Sequence, residues 1–470
     1  MIKCSSHLRR SESAVTGREK EATVKHHRKI LLFSLVAVLL IAGLSFGLVT
    51  AYAQGQEELP ALTPPELLAK VAEAAGGDVS VSGEFTVTNE LLGPLSGFLP
   101  GGFGMGGASM GPAALLQGGS GRVWLQDGQA RVDVFGTAGG DTSVYASKDG
   151  ITVYDAGEST LTQYLLPDCE TDHHAEGLAH DIAAPADMQA SIADVLHKIA
   201  PTASVTVTGQ ETVAGRDSYI LSLAPESTKS LFGSLMVAVD GETFLPLRLE
   251  VYARGGTEPA FSAGFTEVSF DSIDTDVFAV PSPPGIETDT KEIQCPFDGD
   301  DGDGPSSDFL QSLSGLEPLD LADAEAEAGF DLLAPAVDGL AQTFQGAYVI
   351  ELPVEQAEVD VSSLEGPSSG MPGLDLLGGF SGPMVILVYG QGFDTVVLVE
   401  TPLASNQADA LGTLLGQVPL FGEVSVNDQA GYEFTTPLSS LLLWGQNDVG
   451  VLVMGGLPAA DLEDFAADVR

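Results

Sequence analysis

Residues 204–227 read SVTVTGQETVAGRDSYILSLAPES, residues 232–255 read FGSLMVAVDGETFLPLRLEVYARG, and residues 261–280 read FSAGFTEVSFDSIDTDVFAV. Short runs of Val, Leu, Phe and Tyr alternate with polar residues. Ala214-Gly215-Arg216-Asp217, Asp240-Gly241-Glu242 and Gly255-Gly256 separate the runs. Period-two alternation broken by Gly and Asp predicts an antiparallel meander.

The same pattern extends upstream. GRVWLQDGQARVDVFG (121–136) and TSVYASKDGITVYDA (142–156) each place two strands around an Asp-Gly pair, Asp127-Gly128 and Asp149-Gly150. LTQYLL (161–166) and VSVSGEFTVTN (79–89) add further strands. Alternation puts Val123, Leu125, Val132, Val134, Val144, Ile151 and Val153 on one face and Trp124, Phe135 and Tyr145 on the other. TPPELLAKVAEAA (63–75) and DMQASIADVLHKIA (187–200) read as amphipathic helices. Residues 91–119 are Gly-rich with scattered Leu, Phe and Met, and read either as a surface loop or as a ligand-entry flap. They contain no phosphate-loop pattern.

The chain has 470 residues and a formal net charge of −47. Its charge is uneven. Residues 1–29 hold eight Lys and Arg against three acids, whereas the remainder holds 11 basic and 63 acidic residues. An exterior of that sign repels nucleic acid and anionic headgroups. Residues 30–49, ILLFSLVAVLLIAGLSFGLV, carry no charge and are long enough as a helix to span a bilayer core. The basic leader orients such a span with its N-terminus in the cytoplasm and the bulk outside. Two readings stay open: a retained anchor, or a signal segment cleaved after Ala53 in Ala51-Tyr52-Ala53. In an exported chain, Cys169 and Cys295 are a candidate disulfide; free thiols are the alternative. Cys4 precedes the apolar run.

His173, His174 and His180 stand among acids but match no zinc spacing, and a solvated loop is expected. Residues 295–305, CPFDGDDGDGP, lack the full calcium-loop spacing and read as an acidic linker. No metal or cofactor is expected. Residues 308–470 carry strand patterns at 347–352, 384–389, 395–400, 439–445 and 449–454, with helices near 319–330 and 458–469. That region has no His, and no nucleophile elbow or close carboxylate pair is recognisable anywhere.

The pieces Val213-Ala214-Gly215-Arg216, Val239-Asp240, Pro246-Leu247-Arg248 and Phe265-Thr266-Glu267-Val268 resemble the lipoprotein-sorting family of LolA type, in its actinobacterial form. The resemblance covers about residues 62–285. It implies an α+β fold: a strongly curved antiparallel half-barrel packed on helices, with an apolar cavity for acyl chains. The candidate wall, taken from either sheet face, is Trp124, Phe135, Tyr145, Leu235, Val237, Phe244, Leu247, Leu249 and Phe265. The chain departs from the family in its apolar N-terminal run, its long Gly-rich loop, its missing lipobox and its extra C-terminal α+β domain.

The expected organisation is a basic cytoplasmic segment (1–29), an anchor or signal (30–53), a stem (54–61), the half-barrel (62–285), an acidic linker (286–307) and the C-terminal domain (308–470). The expected function is non-catalytic carriage of a lipid or of lipoprotein acyl chains. The alternative is an envelope-stress sensor that binds a membrane-protein ectodomain. No nucleic-acid partner is expected.

Overall fold

The computed structural model describes residues 59–75, 77, 79–91, 118–137, 140–148, 150–157, 159–165, 200–281, 285–292, 318–335, 343–352, 382–403, 415–416 and 420–470. Strand dominates these residues, in one open curved sheet of twelve strands and one of seven. No closed barrel is formed among the described residues.

Helix α1 (Pro64–Ala75) opens the fold. Both the Thr63 N–H and hydroxyl donate to the Glu66 carboxylate, at 2.8 and 2.6 Å. Those bonds fix the first turn and hold the Glu66 carboxyl below its ordinary value. The large sheet follows: β1 (Val81–Asn89), β2 (Gly119–Gln126), β3 (Gln129–Thr137), β4 (Gly140–Ser147), β5 (Gly150–Asp155), β6 (Thr160–Leu165), β7 (Ala203–Val213), β8 (Arg216–Pro225), β9 (Phe232–Asp240), β10 (Pro246–Ala253), β11 (Pro259–Ser269) and β12 (Glu287–Glu292). Their order across the sheet is β12-β6-β5-β4-β3-β2-β1-β11-β10-β9-β8-β7. Two meanders, β1–β6 and β7–β11, are therefore joined through the β1–β11 pair.

The expected two-residue turns form where the chain can take positive φ. Asp127 and Gly128 have φ of 51° and 73°, and Ala214 and Gly215 have 51° and 78°. These are the primed turns that match strand twist. The sheet coils so far that β7 comes within 8 Å of β11 in places, four strand positions away; a flat sheet would hold them about 19 Å apart. One expectation is revised. Residues 287–292, read as the start of the acidic linker, instead pair with β6 as the parallel edge strand β12. Lys291 lies over the Tyr164 ring there, and Glu287, Asp289 and Glu292 place charge on an open edge.

The small sheet holds β13 (Phe344–Leu352), β14 (Gly382–Tyr389), β15 (Val396–Pro402), β16 (Gly422–Val426), β17 (Gln429–Thr435), β18 (Ser440–Gln446) and β19 (Val449–Gly455) in the order β13-β14-β15-β19-β18-β17-β16. Helices α2 (Leu321–Ala328) and α3 (Ala459–Ala467) pack on one of its faces. Leu462, Phe465, Ala324 and Ala328 meet Val385, Leu387, Leu398, Leu442 and Val453 in its core. The sheet has two more strands than the sequence pattern announces, β16 and β17. Their turn is Asn427-Asp428, with φ of 50° and 62°, and Asn447-Asp448 repeats it at 53° and 62° between β18 and β19.

The apolar run 30–49, residues 187–199 of the helix expected at 187–200, and Cys4, Cys169 and Cys295 all lie outside the described residues; Ala200 is in a turn. Within them, no helix is long and apolar enough to cross a membrane.

Candidate functional site

Residues paired across antiparallel strands share a face, so the register divides the large sheet into two surfaces. One row runs Val87, Ala263, Leu249, Val237, Leu221 and Val207. The row beside it runs Phe261, Val251, Leu235, Leu223 and Val205. On the other meander the same face continues through Val123, Val132, Val144 and Val153, and through Leu125, Ala130, Ala146 and Ile151. β1 links the halves, since Gly83 opposes Val123 and Phe85 opposes Phe265. Apolar side chains thus run across this face in both meanders. Gly121 and Gly83 make room on it: a Cβ at either would strike the Phe85 or the Phe265 ring, at 2.6 and 2.8 Å.

Burial along this face is uneven. Val132, Val134, Val144, Val87 and Ala263 are buried. Leu221, Leu223, Leu235, Val237, Leu249 and Val251 are only half-buried. Helix α1 covers one corner, where its fully buried Leu67 packs with Tyr219 and Val239. Phe244, held at φ 58°, stacks on Tyr219 at 6.4 Å, and the Lys70 ammonium lies 4.5 Å above the Phe244 ring. The stem is fastened to the same corner. The Gln210 side-chain amide donates to the Leu59 carbonyl and accepts from the Leu59 N–H, at 2.9 and 3.0 Å. The Tyr219 hydroxyl donates to the Pro60 carbonyl at 2.8 Å.

The nine candidate wall residues do not converge. Leu235, Val237, Leu249 and Phe265 share the apolar face, and Phe244 joins the cluster under α1. Leu247, fully buried at an irregularity of β10, joins Phe265 in the core cluster against which Leu249 packs. Trp124 and Tyr145 occupy the opposite face, in the row Ser82, Trp124, Arg131, Tyr145, Thr152 and Gln163; Phe135 is also there, opposite Ser120. Arg131 lies against the Trp124 and Tyr145 rings, at 5.0 and 5.2 Å, and is paired with Asp133. Trp124 and Tyr145 thus hold an internal cation on the face opposite Leu235 and Leu249. Leu221, Leu223, Val251 and Phe261 complete the face and were not among the candidates. Strict alternation with Leu235 and Leu249 marks them, once the register is known.

The opposite face also carries ionic groups further along. Arg248 of β10 donates to both Glu211 oxygens, at 3.0 and 2.7 Å, and lies 3.2 Å from Glu250. Burial raises the Glu250 carboxyl against the pull of Arg248. Burial, with Glu250 beside it, pushes the Tyr252 phenol up to about 12. Arg216 and Asp240, both within the pieces that carry the family resemblance, form a two-point pair at 2.8 and 2.9 Å. Asp240 also accepts from the Thr243 N–H and hydroxyl at 2.7 and 2.8 Å. They lock the 213–216 and 240–245 turns together, which is a structural role.

A shallow hollow of about 270 Å³ lies elsewhere, beside α2, lined by Ala322, Glu325, Ala326, Gly329, Phe330 and Asp331. Cys169 and Cys295, the His173, His174 and His180 cluster and the Asp/Gly stretch 295–305 all fall outside the described residues.

No protein-family model matches the chain, and no curated protein matches it. Among solved structures it is similar to a chain of the Pseudomonas aeruginosa MucA/MucB complex, at 14% identity and a TM-score of 0.37, covering 86% of this chain and 98% of that one. An uncharacterized conserved protein from Thermus thermophilus is similar at 9% identity and TM-score 0.27, over 48% of this chain and 98% of that one. A LolA superfamily protein from Nitrosomonas europaea is similar at 11% identity and TM-score 0.18, over 47% of this chain and 99% of that one. With every one of these scores below 0.5, the likenesses carry no weight for function.

Proposed function

We propose that this chain is a membrane-tethered, extracytoplasmic binding protein that takes a lipid or acyl chain on the apolar face of its large sheet and performs no chemistry on it. One observation carries the reading. Leu221, Leu223, Leu235, Val237, Leu249 and Val251 form two adjoining apolar rows on neighbouring strands, yet each is only half-buried. α1 covers the adjoining corner at Tyr219 and Val239, and its cluster reaches Leu221 and Val237 without burying them fully. Apolar surface left partly in water gains about 25 cal/mol per Å² when a hydrocarbon covers it. The apolar run 30–49 and its basic leader support the tethered, extracytoplasmic placement.

The test is mass spectrometry of lipid co-purified with the full chain. Bound lipid is expected in the wild type and a several-fold loss in Leu235→Asp/Val251→Asp. The control Met236→Ser, on the opposite face in register with Ser222 and Glu250, should keep its lipid. A lipid-free wild type, or equal lipid in all three proteins, overturns the reading.

A second reading, binding of a membrane-protein ectodomain, is favoured by charge. Residues 308–470 hold 25 Asp and Glu against Arg470 alone. A domain of that sign suits a cationic protein partner better than an anionic lipid surface.

A further inference from the structure

We propose that the β7–β10 block is a spacer with two fastened ends, its stem end turned toward the bilayer and the small sheet presented at the far end. The inference rests on reading residues 30–49 as a retained span, and adds to it an orientation.

The stem end is the row Gln210, Tyr219 and Val239. Gln210 and Tyr219 hold the backbone of Leu59 and Pro60 there through three hydrogen bonds. The Leu59 side chain fills the space that a Cβ on Gly241 would need, at 2.6 Å. Leu59 lies ten positions after Val49, the last residue of the apolar run. Fully extended, that stretch reaches about 35 Å, which bounds the distance of this row from the bilayer core.

The other end of the same strands carries the small sheet. The Phe232 ring stacks on Phe393 with centroids 4.6 Å apart. The Leu231 N–H donates to the Gly456 carbonyl at 2.6 Å. A Cβ on Gly392 would strike the Thr202 side chain at 2.6 Å. Ser230, in the middle of this junction, is fully buried. Arg254 braces it from behind, donating to the Ser230 carbonyl. Val239 lies seven positions along β9 from Phe232, about 23 Å along a strand. The two fastenings are therefore at opposite ends of one rigid set of strands.

Charge sets the sense of the long axis. The far domain, with 25 acids and a single basic residue, is driven from an anionic bilayer more strongly than the near end. The near end also carries Glu211, Asp217 and Glu242, so it faces the bilayer without lying on it.

The experiment is energy transfer from a single dye on the full chain, in vesicles, to acceptors at the lipid headgroups. Cys4, Cys169 and Cys295 are replaced by Ser, and the dye is carried by Glu242→Cys at the stem end, Lys229→Cys at the junction or Ala467→Cys at the end of α3 away from Gly456. Transfer is expected to fall in that order on neutral vesicles, and more steeply on vesicles containing anionic lipid. A flat or reversed order in protein that floats with the vesicles overturns this inference alone. Failure to float overturns the tethered reading and this inference with it.

Discussion

Asp240 in the large sheet and Glu400 in the small sheet meet the same difficulty in opposite ways. Each is a carboxyl group in a β-sheet with almost no exposure, 1% for Asp240 and 0% for Glu400. Asp240 is surrounded by donors: Arg216, the N–H and hydroxyl of Thr243, and the Glu242 N–H. Burial alone would raise its carboxyl, but the Arg216 and Thr243 bonds win and hold it below its ordinary value. Glu400 lies on the core face of β15, in register with Val385 and Val451. One oxygen accepts from the Leu333 N–H at 2.9 Å, and Oε1 has no partner among the described residues. Burial pushes this carboxyl up to about 8, against the pull of the Leu333 N–H. One sheet keeps its buried acid charged by pairing it; the other keeps its acid neutral by protonating it.

The strongest way to break this contrast is Arg216→Ala. It leaves a charged Asp240 buried without its cation, a change that costs about 3–5 kcal/mol when one partner of a buried pair is removed. Denaturant unfolding at neutral pH measures it. Glu242→Ala removes the second, exposed carboxylate partner of Arg216 and should cost no more than about 1 kcal/mol. A loss below about 1 kcal/mol in Arg216→Ala would show that the pair is not what keeps Asp240 charged.

The next effect is a pH slope. Glu400 binds its proton more tightly folded than unfolded, so its contribution is complete below the ordinary Glu value and is lost as pH rises through about 8. Asp240 has the opposite sign: its contribution is present at neutral pH and lost on acidification. Between pH 5 and pH 8 the Glu400 term amounts to roughly 3 kcal/mol. Tyr389 is the titratable neighbour it senses, and burial with Glu400 nearby raises that phenol further, so Tyr389 stays neutral over this range. Glu400→Gln keeps the acceptor for Leu333 and removes the titration. Its stability should therefore lose less between pH 5 and pH 8 than the wild type's, by about that amount. Parallel pH profiles for the two proteins would mean that Glu400 is charged in the fold.

The two carboxylates also mark what the chain discloses in one dimension. The meander, the turn at Asp127-Gly128 and the alternation of Val123 and Val132 with Trp124 are local, and local spacing announces them. The Arg216–Asp240 pair lies between residues on neighbouring strands, and nothing in either turn alone identifies the partner. The β1–β11 pairing joins Ser82 to Ser269, and that long-range contact makes one apolar face out of two meanders. It also puts Trp124, Phe135 and Tyr145 on the far side from Leu235 and Leu249, a division no single strand reveals. β16 and β17 escaped because Asn427-Asp428 lacks the Gly that usually marks a primed turn. Asn427 compensates by donating its side-chain amide to the Ala466 and Val469 carbonyls at the end of α3.

The smallest effect sharpens the contrast at the stem. Tyr219 is a buried polar group satisfied by one long-range bond, to the Pro60 carbonyl, and so lies between the fully partnered Asp240 and the half-partnered Glu400. Tyr219→Phe keeps the ring under α1 and its stacking on Phe244 but removes the donor. A neutral hydrogen bond of this kind contributes about 1 kcal/mol, and the Pro60 carbonyl is free to take water once released. The global loss should be no larger than that. The local consequence is distinct, because of the three stem hydrogen bonds only the two between Gln210 and Leu59 then remain. Amide exchange at Leu59 should accelerate in Tyr219→Phe while exchange in β8 and β9 stays as in the wild type. Uniform acceleration across β8 and β9 would show instead that the hydroxyl supports the sheet and that the stem merely rests on it.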